Sequence, residues 1–276
     1  MLGIFRAKPL LDETSAAWLI EAFGWALRSL EPRIFFEHTE LVTPSNAHFP
    51  DRIEDAQSMP AVLFARVRNL AGMAQWDCEL VMQDPDPELQ VARTLFIRNA
   101  EQPPAGTFSF GRDEQKARIT YNPNLLRDPE RFIATMAHEL AHYLSMAIAE
   151  PPPGGEEYHE HATDVLAVYM GFGLFQLNST FSFRQFTDTA TGTQGWSTQG
   201  LGYLSRAESA FALALFCHLK KIPVERASRY LREPQLGLFR KAMKNMGQHA
   251  AALQPLLEME RRLDEGSGTR QQAASG

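Results

Sequence analysis

"TMAHELAHYLSMA", residues 135–147, sets two histidines four apart inside an apolar run, with Glu139 directly after the first. Ile133, Met136, Ala137, Leu140, Ala141 and Leu144 leave this stretch little polar surface, so it reads as a helix at the centre of the fold. Positions four apart are neighbours on one helical face, so the rings of His138 and His142 can converge on one point. Two imidazoles and a carboxylate buried without partners would be costly, and a metal ion is the simplest partner for all three.

The flanks support a helix and supply a second one. Asp128 suits the N-cap, Pro129 the first helical position, and Glu130 favours the positive end of the helix dipole. Pro151-Pro152-Pro153-Gly154-Gly155 is expected to end this helix and reverse the chain. "EEYHEHATDVLAVYMGFGLFQL" (156–177) then reads as another helix. On it, Glu160 and Asp164 lie one turn apart in "EHATD", 18 residues beyond His142. Gly171 and Gly173 fall inside the same apolar stretch. Close packing against the histidine helix would explain them, and so would an early helix end.

This pair of motifs resembles the gluzincin metallopeptidases, the thermolysin-like superfamily, whose H-E-x-x-H is followed on a second helix by E-x-x-x-D. The resemblance covers about residues 115–175. It implies Zn2+ as the metal, His138, His142 and Glu160 as its ligands, and Glu139 as the catalytic glutamate. Asp164 would hold the outer nitrogen of a zinc-bound imidazole. Thr163 stands where that family usually has a small residue. A metzincin pattern fails, because its Gly and third His would fall on Ser145 and Ile148. Glu157 and His161 share a face with Glu160 and remain alternative third ligands.

The expected fold is α+β and mainly helical, a zincin-like core with a small sheet packed on two metal-binding helices. The expected activity is that of a zinc metallopeptidase, a hydrolase acting on a peptide or protein substrate through a zinc-activated water, with Glu139 as general base. By the same resemblance an edge strand beside the zinc, either "ARITY" (117–121) or "TFSF" (107–110), would pair with an extended substrate backbone. The competing expectation is a zinc-stabilised regulatory or protein-binding module without general proteolysis. Glu139 argues for the enzyme, since a closed structural site has no use for that carboxylate. Tyr158, His159, Tyr203 and His218 are candidates to stabilise an oxyanion. For each of them, an ordinary surface or packing role is the plainer reading.

Elsewhere the chain alternates helical and strand patterns. Trp18, Leu19, Ala22, Phe23, Ala26 and Leu30 recur at helical spacing after a cap at Asp12 or Thr14, and "PAVLFARVRNLAGM" (60–73) forms a second early helix. Residues 40–60 read as a long turn-rich connection. Trp76 to Met82, "RTLFIR" (93–98), "TFSF" and "ARITY" read as strands, with "GRDEQK" (111–116) as a hairpin loop between the last two. Residues 178–204 form a long irregular stretch. Ser205 and Glu208 make a capping box before the apolar helix "AESAFALALFCHLKK". Residues 1–264 are expected to form a single zincin-like domain, with the metal-site core at about 115–175 and a C-terminal helical part at about 205–264. Residues 265–276 are expected to be a disordered tail.

Bulk properties narrow the partners. Among 276 residues, 27 are basic and 33 acidic, a net charge of −6, with no Lys/Arg stripe, so nucleic acid is not an expected partner. Cys78 and Cys217 stand far apart outside any C-x-x-C pattern, which suits a reducing compartment. "VLAVYMGFGLF" (165–175) is too short to span a bilayer, and the first fifteen residues lack the features of a secretory signal. A cytoplasmic protein with no membrane partner is the expectation.

Overall fold

A computed structural model describes residues 9–53, 55–83, 106–110, 117–180 and 204–273. Helix α1 (Glu13–Ser29) starts where Asp12 accepts the Ser15 N–H at 2.9 Å. Helix α2 (Met59–Leu70) follows the turn-rich connection. A three-stranded sheet comes next: β1 (Cys78–Met82), β2 (Gly106–Phe110) and β3 (Ala117–Tyr121). The order is β1-β3-β2, with β1 parallel and β2 antiparallel to β3. The hairpin partners β2 and β3 are paired as expected. The loop between them and the strand expected at 93–98 lie outside the described residues. "ARITY" is the central strand, so both of its edges are taken by neighbours and it cannot receive an added strand. The reason is the parallel pairing of Leu80 with Ile119, a contact between distant segments that alternation along one strand does not encode.

Helix α3 (Pro129–Ser145) carries the histidines. Asp128 Oδ1 accepts the Arg131 N–H at 3.2 Å, and Pro129 opens the first turn. Every residue from Phe132 to Ala141 is buried, the histidine and glutamate included. The helix packs against β2 and β3 of the sheet, α2 and helix α4 (His159–Ala167), while α4 also packs on α1. Helix α3 ends at Ser145, before the proline run; Ser145 Oγ donates to the His142 carbonyl at 2.7 Å, occupying an acceptor in the last turn. The reversal that follows is held by two indoles of α1: Trp25 Nε1 donates to Glu150 O at 2.9 Å and Trp18 Nε1 to Pro153 O at 2.8 Å. Gly154 (φ +89°) and Gly155 (φ +86°) turn the chain in the left-handed region, and a β-carbon on Gly154 would overlap the Tyr158 ring.

The stretch 156–177 is not one helix. A short 3-10 turn (Glu156–Tyr158) leads into α4, a wide turn follows over Val168–Phe172, and α5 (173–180) resumes. The break falls at Gly171, φ +98°, where a β-carbon would overlap the Glu40 carbonyl oxygen; Val42 N–H donates to Gly171 O at 3.0 Å. Gly173 packs against Leu213. Both glycines therefore mark close approaches, but not to the histidine helix. Residues 178–180 belong to α5, while 181–203 lie outside the described residues.

The C-terminal part is helical: α6 (Arg206–Leu219), α7 (Val224–Ser228), α8 (Glu233–Asn245) and α9 (Ala250–Ala273). The capping box forms as expected, with Glu208 N–H donating to Ser205 Oγ at 3.2 Å and Ser205 N–H to Glu208 Oε2 at 2.7 Å. Where composition predicts a tail from residue 265, the backbone stays helical to Ala273, an extension of a helix anchored earlier by buried Leu253 and Leu256. One buried apolar cluster runs from Ala16 to Leu256, so the early helices, the sheet and the C-terminal helices share a core. The fold is α+β and mainly helical, with a small sheet. Among the described residues no helix is long and apolar enough to cross a membrane.

Candidate metal centre

Helices α3 and α4 bring three ligand atoms together. His138 Nε2 and His142 Nε2 are 3.1 Å apart, and Glu160 Oε2 lies 3.4 Å from each. An ion bound tetrahedrally at about 2.0–2.1 Å separates its ligand atoms by roughly 3.3–3.4 Å, so the triangle has the dimensions such an ion requires. Among the described residues this is the group whose spacing could hold a metal ion.

The donor chemistry agrees with the distances. His138 Nδ1 lies 2.8 Å from Asp164 Oδ1, and both residues are buried. An ionised carboxylate only accepts, so Nδ1 carries the ring hydrogen and Nε2 faces the cluster. Two ring nitrogens and a carboxylate oxygen brought this close repel unless a cation sits among them. In the metal-free protein a proton takes that part. Burial pushes the His138 imidazolium down, but hydrogen bonds to Asp164 and Glu160, with the charges of Asp164 and Glu139, outweigh it and raise His138 to about 10. Close contact with the His138 and then the His142 imidazole holds the Glu160 carboxyl well below the usual carboxylate range, against its own burial. The arrangement stabilises positive charge at one point.

Glu139 is 4% exposed on α3, within electrostatic reach of all three ligands. Burial raises its carboxyl above the ordinary value; the charges of His138 and His142 oppose this and that of Glu160 adds to it. Asp164, besides holding His138, accepts the Leu204 N–H through Oδ2 at 2.8 Å and so reaches the residue before the N-cap of α6.

Of the alternative third ligands, His161 packs beside Trp18 (ring centroids 6.1 Å) and Tyr158 (5.9 Å), outside the converging group, and Glu157 is exposed. Glu160 is the one that meets the histidines. The His159 ring centroid lies 5.6 Å from that of His142, at an interplanar angle of 29°. Tyr158 leans on Trp18 over the reversal. His218 sits in the last turn of α6, about 20 Å along the helix from Leu204 at 1.5 Å per residue. Tyr203 lies outside the described residues.

Two neighbours were not singled out from sequence as parts of the site. Phe108 on β2 lies 6.4 Å from the His142 ring at an interplanar angle of 10°, bringing that strand to the site. Thr163 Oγ1 lies 3.4 Å from His142 Nδ1. Its spacing could have flagged it: Thr163 stands three residues after Glu160, hence on the same face of α4. Phe108 left no comparable signal, because its place depends on how the sheet docks on α3. No family model, curated protein or solved structure matches this chain.

Proposed function

We propose that the chain is a zinc-dependent peptidase of the gluzincin kind, cleaving peptide bonds in a peptide or protein substrate. The observation that carries this reading is a buried carboxylate, Glu139, next in sequence to one of three ligand atoms already spaced for a tetrahedral ion. Zinc bound by His138, His142 and Glu160 would lower the pKa of a water to near 7 and polarise a carbonyl oxygen. Glu139 accepts a proton from the attacking water as the new C–O bond forms. When the C–N bond breaks, Glu139 delivers that proton to the departing amine; the second proton of the water passes from the new carboxylic acid to the amine, leaving a carboxylate and an ammonium as products.

The sheet supports substrate placement. Strand β2 pairs with β3 on one side only among the described strands, and Phe108 carries it up to His142. An extended peptide adding to β2 through main-chain hydrogen bonds would run past the ligand cluster.

The experiment is metal analysis of the purified protein, then cleavage of a peptide library with zinc and with a chelator. Chelator-sensitive cleavage supports the peptidase. One equivalent of zinc with no cleavage of any peptide by the wild-type protein would replace it with a structural metal centre. For Glu139→Gln, retained zinc and hydrolysis slowed by about 10²–10⁴-fold is the expected outcome.

A further inference from the structure

His138 and His142 are held by different chemistry. Asp164 supports the first with a carboxylate; facing the outer nitrogen of the second is a hydroxyl, Thr163 Oγ1, 3.4 Å from Nδ1. Thr163 is 1% exposed, and its hydroxyl donates to the His159 carbonyl at 2.9 Å. A threonine hydroxyl has a single proton. With that proton directed to His159 O, Oγ1 can meet His142 Nδ1 only as an acceptor. His142 must then carry its ring hydrogen on Nδ1 and present Nε2 to His138 and Glu160.

We infer that Thr163 is a positioning residue of the metal centre, fixing the tautomer and orientation of His142 through its hydroxyl. A threonine bonded to the carbonyl one turn back is common in helices and needs no functional reason. That accounts for the contact with His159 but not for the second one, across the helix interface to His142. The hydroxyl spans both because α4 packs on α3 with Glu160 and Thr163 on the same face. The inference rests on the metal-centre reading.

The test is zinc competition against a chromophoric chelator for the wild type, Thr163→Val and Thr163→Ser. Alongside it, the ring nitrogen and Nδ1–H resonances of His142 are followed in zinc-loaded protein. Thr163→Val keeps the shape and removes the acceptor; it should weaken zinc by roughly 10–100-fold and expose the Nδ1–H to solvent exchange. Thr163→Ser should stay close to the wild type in both. If Thr163→Val does not fold, Thr163→Ala takes its place in the comparison with Thr163→Ser. Thr163→Val binding zinc as tightly as the wild type, or Thr163→Ser losing as much as Thr163→Val, overturns the role of Thr163 while leaving the metal centre intact. A wild-type protein that takes up no zinc removes both.

Discussion

Asp164 and Leu204 are joined by a buried hydrogen bond, Leu204 N–H donating to Asp164 Oδ2 at 2.8 Å, while the other carboxylate oxygen lies 2.8 Å from His138 Nδ1. One side chain thus anchors both an imidazole of the candidate metal centre and the chain entering α6.

Asp164→Asn should disturb both ends at once. An amide offers one acceptor oxygen where two N–H groups converge, so one of them faces an NH₂ group instead. The expected cost is about 1–3 kcal/mol of stability in urea unfolding of the metal-free protein, for a buried donor left unsatisfied. Zinc affinity should fall by roughly 10–100-fold. Unchanged values of both would mean that Asp164 supports neither end.

Zinc should bind more tightly as pH rises. His138, raised from an ordinary 6.5 to about 10, holds a proton at neutral pH that a metal must displace. Because its folded-state value lies above the unfolded one, the stability it contributes to the metal-free protein is fully present below about pH 6.5. That contribution is lost as pH rises through about 10. The two trends run together, so the zinc-induced rise in Tm should grow across this window, and calorimetry at neutral pH should record proton release on binding. A zinc-induced Tm shift independent of pH would place the displaced proton elsewhere.

The pH–rate profile should carry the mark of Glu139. A general base works only when ionised, and burial lifts this carboxyl above its ordinary 4.5. The acid limb of kcat/KM should therefore lie above that value, with activity falling as pH drops through it. The residual activity of Glu139→Gln should lack that limb. The same limb in the variant would assign it to another group.

Gly171→Ala should be strongly destabilising although Gly171 belongs to no part of the candidate site. An alanine there would be strained at φ +98° and its β-carbon would meet the Glu40 carbonyl oxygen. A loss of at least about 2 kcal/mol is expected in denaturant unfolding, from backbone strain together with the overlap. A fully stable variant would show that the break between α4 and α5 can shift.

What could be read directly from the sequence was local. Asp128, Pro129 and the Ser205–Glu208 box announce helix starts because the groups that satisfy a free N–H lie within three residues of it. The convergence of His138 and His142 follows from one helical turn; Glu160 is implied by the gluzincin resemblance, with Glu157 and His161 on the same face as alternatives that only the structure separates. The rest depended on distant partners. "ARITY" is a central strand because a segment some forty residues earlier pairs with it in parallel. The wide turn at Gly171 exists because the chain at Glu40 crosses there. His161 shares a helix with Glu160, but the packing of Trp18 and Tyr158 places it outside the cluster. Such contacts belong to tertiary packing, which periodicity along one segment does not record.

The most direct test of the shared ion is diffraction from zinc-supplied crystals at wavelengths on either side of the zinc absorption edge. A single anomalous peak is expected about 2.0–2.1 Å from His138 Nε2, His142 Nε2 and a Glu160 oxygen. No peak there, or a metal bound by other side chains with these three apart, would contradict it.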